Sequence, residues 1–154
     1  MIVISDTSSV SALLRIGQSD LLQRLYGEVL IPEAVRDELL AFFPSLPEFL
    51  HCRQILNTGE VGRLCEELDL GEAEAIVLAR ESHADILLMD ELTGRRVAAR
   101  EGVPIIGLMG VLIEAKNDGL VASIRPLIEK LETEADFRLS VEFKQSTLRR
   151  AHEL

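Results

Sequence analysis

The sequence predicts an α/β fold, a three-layer α/β/α sandwich on a parallel sheet, and two observations carry that prediction. Short aliphatic runs alternate along the chain with longer helical stretches. The runs are apolar throughout, as in Ile86-Leu87-Leu88-Met89, which is the pattern of strands covered on both faces. No internal repeat, low-complexity tract or Ser/Gly/Pro-rich linker interrupts the 154 residues, so the chain reads as a single domain.

Each element has its own signal. Residues 2–4 (Ile-Val-Ile) read as the first strand, followed by helices over about 8–14 and 20–26. Val29-Leu30-Ile31 is a second strand, and Pro32 opens a helix that runs to about Phe43, where Pro44 and Pro47 interrupt it. Between 49 and 58 the signal is weak, with Gln54-Ile55-Leu56 as the candidate strand and a helix over 61–68 after it. Asp69-Leu70-Gly71-Glu72 has the spacing of a capping box and opens a helix to about His83. Residues 86–89 form a strand, 92–101 a helix closed by Gly102, and 103–106 another strand. Helices over about 109–117, 123–132 and 140–152 complete the chain.

Composition narrows the function classes. A chain that is 47% hydrophobic and 27% charged has the apolar material for a core, which excludes intrinsic disorder. No Trp, one Tyr and five Phe make that core aliphatic and argue against a nucleic-acid module built on aromatic stacking. The net charge of −10 is the reverse of what a simple phosphate-backbone binder carries. Residues 1–77 hold 5 basic and 13 acidic side chains, so most of the imbalance lies there. Either polyanions are not the substrate, or some acids ligate a cation that inverts their local effect. Cys52 and Cys65 have no metal-site spacing and read as reduced thiols. With no signal peptide and no apolar run of membrane-spanning length, the expected location is the cytoplasm, with no membrane contact.

The placement of the acids is the strongest functional signal. Asp6 follows the first strand and Asp90 follows the strand at 86–89, and in a parallel sheet both carboxyl ends open on one edge, where such sheets bind ligands. Helix capping is the competing role for Asp6. Glu38 has Ala34, Val35, Ala41 and Phe42 at helical spacing, which sets it on an apolar stripe. Glu74 sits likewise among Leu70, Val77 and Leu78, whereas Glu72 is accounted for as the capping-box acid. Burying a carboxylate costs several kcal/mol or displaces its pKa unless something compensates, and a cation is one such partner; an arginine or water is another. An all-carboxylate set favours a hard ion, Mg²⁺ or Mn²⁺, and such ions suit phosphodiester cleavage.

Taken in order, Asp6-Thr7-Ser8, Ile31-Pro32-Glu33-Ala34-Val35-Arg36-Asp37-Glu38-Leu39, Leu70-Gly71-Glu72-Ala73-Glu74-Ala75-Ile76 and Leu87-Leu88-Met89-Asp90 resemble the PIN-domain superfamily. Gly94-Arg95-Arg96-Val97-Ala98 and Gly107-Leu108-Met109-Gly110-Val111-Leu112 add a likeness to a prokaryotic PIN-like branch related to VapC-type toxins. The likeness covers a core over about 1–120 and extends to C-terminal helices over about 121–152. It implies a parallel sheet of four to five strands and a metal-dependent endoribonuclease. Its catalytic and metal-ligating residues would be Asp6, Glu38, Glu74 and Asp90, with Mg²⁺ or Mn²⁺ as cofactor. Ser8 matches the hydroxyl that supports the first Asp, whereas Leu88 stands where many members carry a Thr two residues before the last Asp. Glu91 is an auxiliary candidate, and Arg95 and Arg96 are candidates for holding the scissile phosphate, with pairing to Glu91 and Glu101 as their alternative role.

The same likeness implies an RNA substrate, a homodimer and an antitoxin protein whose segment covers the acidic crevice. Two rivals remain at this point. One is a non-catalytic PIN-like scaffold that binds RNA or a protein partner. The other is a Mg²⁺-dependent phosphohydrolase of small phosphate esters, against which Ser8 stands where a second acid belongs.

Overall fold

Aliphatic runs with little polar interruption are stable as strands only when both of their faces are covered, and that requirement organises the molecule. The computed structural model describes residues 1–154. Five short strands, β1 (Val3–Ser5), β2 (Val29–Ile31), β3 (Leu50–Cys52), β4 (Ile86–Leu88) and β5 (Ile105–Ile106), form one sheet in the order β3-β2-β1-β4-β5. All neighbouring strands are parallel, with Ile4 opposite Leu30 and Leu87, and Ser5 opposite Leu88.

The connections are nine helices: α1 (Thr7–Arg15), α2 (Asp20–Tyr26), α3 (Glu33–Leu40), α4 (Thr58–Leu64), α5 (Leu70–Glu81), α6 (Leu92–Arg100), α7 (Leu108–Asn117), α8 (Arg125–Glu134) and α9 (Val141–Arg150). They cover both faces of the sheet, which makes the three-layer α/β/α sandwich. Successive strand side chains point to opposite faces. Val3 and Leu88 therefore enter a core cluster of 26 residues with α1, α2, α7, α8 and α9, while Ile4 and Leu87 enter one of 16 with α4, α5 and α6. No helix is long and apolar enough to cross a membrane.

Several boundaries differ from the sequence expectation for identifiable reasons. The third strand is Leu50–Cys52, not 54–56; it is an edge strand in which only Leu50 is buried, so it has no apolar run to betray it. Residues 54–56 are loop, with Ile55 turned into the smaller core cluster. The helix expected over 61–68 begins earlier, because the Asn57 side chain caps it by accepting from the Glu60 N–H, and it gives way to turns after Leu64. The third helix stops at Leu40 rather than Phe43. Pro44 disfavours a helical conformation at Phe43 before it.

The strand order fixes where a site can lie. The chain leaves β1 in one direction to build β2 and β3, then returns to the other side for β4 and β5. The topological switch point is thus between β1 and β4, at their carboxyl ends.

Candidate active site

Asp6 directly follows β1 and Asp90 lies two residues beyond β4, so parallel pairing at Ser5 and Leu88 brings the two aspartates to the switch point. The Asp6 N–H extends the pairing by donating to the Leu88 carbonyl at 3.1 Å. Ser9, fully buried in the first turn of α1, touches both acids. Its backbone N–H donates to Asp6 Oδ1 at 3.2 Å and its hydroxyl donates to Asp90 Oδ2 at 2.7 Å.

Both aspartates also accept an N–H from the first turn of a helix. Asp6 is the N-cap of α1, and the Ser8 hydroxyl donates to its Oδ2 at 3.2 Å. Asp90 Oδ1 accepts the Leu108 N–H, at the start of α7, at 2.9 Å. The capping role weighed for Asp6 is therefore real, but it does not exhaust the group: each carboxylate oxygen has further lone pairs. Ser9 also supplies the hydroxyl that Leu88 cannot. Sequence reasoning missed it because the support comes from α1 rather than from β4.

Glu38, half-buried on α3, accepts the Thr7 hydroxyl at 2.6 Å. Its other oxygen lies against Gly71, where a Cβ would come within 2.5 Å of Oε1. A side chain at Gly71 would displace this carboxylate, because the start of α5 passes so close to it.

Glu72 and Glu74 lie on different sides of α5. Residues two apart on a helix point about 200° apart, so only one of the pair can face the crevice. That one is Glu72, which lines the crevice with Asp6, Thr7, Glu38, Asp69 and Glu91. Its Oε1 completes the capping box on the Asp69 N–H, while Oε2 reaches toward Gly94, where a Cβ would lie 3.1 Å away. Glu74 instead accepts the Ala34 N–H at 3.0 Å and ties α5 to the first turn of α3. The structure thus places Asp6, Glu38, Glu72 and Asp90 along the carboxyl edge of the sheet, whereas Glu74 is turned to α3.

The auxiliary candidates divide as well. Glu91 is exposed on the crevice rim. Arg95 donates to the Met89 carbonyl at 2.9 Å and lies beside Asp90 across Gly107. Arg96 is exposed and makes no ion pair. Neither arginine pairs with Glu101, which is held by Arg63 and Arg80.

The electrostatics follow from burial. Asp6 is only 2% exposed, and burial together with the Asp90 charge pushes its pKa up to about 7 against the ordinary 3.8, despite the donors on it. Burial also raises Asp90, although the Leu108 N–H, Ser9 and Arg95 oppose the rise. Glu72 is pushed up to about 7 by burial and by the charges of Asp69 and Glu91. No lysine or arginine forms a salt bridge with Asp6, Glu38, Glu72 or Asp90. No three side chains stand at ligating distance of one point. The donor set is nevertheless all oxygen, held by serine and threonine hydroxyls and short of positive charge, which fits a hard divalent cation.

A family model described as a PIN domain matches residues 2–153. No curated protein matches the chain.

Proposed function

The chain belongs to the PIN-domain family, and from that premise we propose that it is a metal-dependent endoribonuclease with its site in this crevice. PIN domains are generally nucleases and typically use divalent metals. The observation that supports the reading most directly is the Asp6–Ser9–Asp90 arrangement. Two aspartates from adjacent strands share one serine, and both are drawn toward protonation by burial.

Asp6 and Asp90 would hold Mg²⁺ or Mn²⁺, with Glu38 and Glu72 on the opposite wall. A cation there supplies Lewis-acid stabilisation of charge developing on a phosphoryl oxygen and lowers the pKa of water. Ser8, Ser9 and Thr7 fix the carboxylates in orientation. Glu72, half-buried and raised to about 7, is placed to take a proton from the attacking water. Arg95 keeps the end of β4 and Asp90 in place by holding the Met89 carbonyl.

The test is cleavage of structured and unstructured RNA by purified protein with Mg²⁺, Mn²⁺ or EDTA, beside Asp6→Asn and Asp90→Asn. Metal-dependent cutting that both substitutions remove is the expected result; cutting that survives them overturns the site. No cutting, with no thermal stabilisation by either metal, would favour the scaffold reading instead. We further propose, from the likeness to VapC-type proteins, that the chain is a homodimeric toxin held by an antitoxin; growth arrest on expression in a bacterial host, relieved by Asp6→Asn, is the expected outcome. Sedimentation equilibrium tests the homodimer.

A further inference from the structure

Three adjoining cavities run along the carboxyl edge of the sheet. The first, about 450 Å³, is the acidic crevice. A second, about 630 Å³, shares Ser8, Ser11, Arg15 and Glu91 with it and continues to Arg138 and Phe143. A third, about 270 Å³, shares Asp90 and Phe143 with the second and adds Arg95 and Arg150. The charge balance reverses along this track. Six carboxylates face one arginine in the first cavity, three face two in the second, and one faces two in the third.

Arg15, Arg138 and Arg150 are all exposed. Phe137 and Leu139 pack on the larger core cluster, so Arg138 between them is turned outward. Arg15 lies over the Phe42 ring, 6.0 Å from its centroid. Arg15, Arg138 and Arg150 form no salt bridge, whereas Arg36, Arg63, Arg80 and Arg100 all do. Phe143 is 47% exposed at the junction of the second and third cavities.

Resting on the ribonuclease reading, we propose that this track binds the nucleotides flanking the scissile phosphate of an unpaired RNA strand, with Arg15, Arg138 and Arg150 on its phosphates and Phe143 stacked on a base. Free guanidinium groups suit phosphate oxygens, and an exposed ring suits the face of a base that is not paired in a duplex. The gradient also accounts for how a protein of net charge −10 holds a polyanion. Attraction is concentrated beside the acids rather than spread over the surface. The four residues are positioning residues, and their loss acts on binding.

The test measures binding of a labelled unpaired RNA of about 12 nucleotides to the full chain carrying Asp6→Asn, in Mg²⁺, across a salt series. Replacing Arg15, Arg138 and Arg150 together by Ala is expected to weaken binding at least about tenfold. It should also flatten the dependence of log K on log salt by about 2, at about 0.7 per phosphate contact. Lysine at the three positions restores that slope. Phe143→Ala weakens binding about tenfold and leaves the slope unchanged. A duplex of the same length binds more weakly than the single strand. Unchanged affinity and slope in the triple variant, with its melting temperature intact, overturn the proposal; so does equal binding of the duplex.

Cleavage by the protein with Asp6 in place separates this idea from the one it rests on. If RNA is cut and the triple variant leaves both KM and kcat unchanged, the track is wrong and the nuclease stands. If nothing is cut while the triple variant still loses binding, the nuclease reading fails and the track stands as a binding surface. The expected result is a raised KM with kcat little changed.

Discussion

Two regions of the molecule take carboxylates out of water and settle their charge in opposite ways. In the crevice, Asp6 is held at about 7, far above the ordinary aspartate value, even though Ser8 and Ser9 donate to it. Near the end of the chain, Glu153 is 10% exposed and is held at about 2. Burial pushes Glu153 upward too, but Ser123 Oγ at 2.6 Å, the Ile124 and Arg125 N–H groups at 2.8 and 3.1 Å, and Lys116 at 3.0 Å outweigh it. Burial therefore does not decide the charge state by itself. The clasp around Glu153 includes its own cation and the start of α8, whereas the crevice has hydroxyls and amides but no salt-bridging cation. A carboxylate the protein has already satisfied is structural; one left short of positive charge is the place to look for chemistry.

The largest effects test the crevice half of that contrast. Asp6→Asn, Asp90→Asn and Glu72→Gln are each expected to lower metal-dependent RNA cleavage by about 1,000-fold, the upper range for removing one electrostatic group from a reacting site. Glu153→Gln should leave cleavage unchanged. A Glu72→Gln variant that cuts at the normal rate would remove Glu72 from the site.

The two regions should also respond to pH with opposite signs. Between about 3.8 and 7 the folded chain holds a proton on Asp6 that the unfolded chain has released, so stability falls as pH rises through that window. The gap corresponds to at most ~4 kcal/mol, and the raised values of Asp90 and Glu72 act in the same direction. Chemical denaturation in EDTA should show lower stability at pH 8 than at pH 5, with Asp6→Asn and Glu72→Gln each removing only part of the difference. Adding Mg²⁺ or Mn²⁺ should raise the melting temperature more at pH 8 than at pH 5. A metal-free protein equally stable at both values would mean that the crevice carboxylates are not strained.

For Glu153 the sign reverses. Its folded value of about 2 lies below the ordinary 4.5, so its contribution is complete above 4.5 and is lost as pH falls through 2. Glu153→Gln is expected to cost about 1.5–3 kcal/mol at pH 7, the range for hydrogen bonds to a charged group, and to flatten the acid limb of the stability profile. An unaltered acid limb would show that the clasp is not what holds the C-terminal helices.

How much of this was legible in the sequence depended on which signal each element left. The strands with buried faces, at 2–4, 29–31 and 86–89, announced themselves because both faces had to be apolar. The edge strand β3 did not, since only Leu50 is buried there. Asp6 and Asp90 were legible because strand direction alone places them at one edge, and Glu38 because it interrupts an apolar stripe. Ser9, Thr7 and Arg15 were not, because their significance lies in partners on other elements. The position of Glu72 on the crevice is hidden in the sequence by its capping box, because the cap occupies only Oε1 and leaves Oε2 without a hydrogen bond.

Glu74 offers the smallest and most discriminating test of the contrast, because it is an acid next to the crevice that falls in the satisfied class. Its Oε1 accepts the Ala34 N–H near the positive end of α3. Glu74→Gln keeps an oxygen for that bond and removes only the charge, so the expected loss is about 0.5–1 kcal/mol of stability, the size of a helix-end interaction. Cleavage should persist within about twofold, since no reacting group is touched, while Glu72→Gln two residues earlier should be inactive. The two substituted positions are two residues apart on one helix, and each variant differs from the parent by one charge. Loss of cleavage in Glu74→Gln with retention in Glu72→Gln would invert the assignment. It would also show that counting donors around a carboxylate does not separate structural acids from functional ones in this protein.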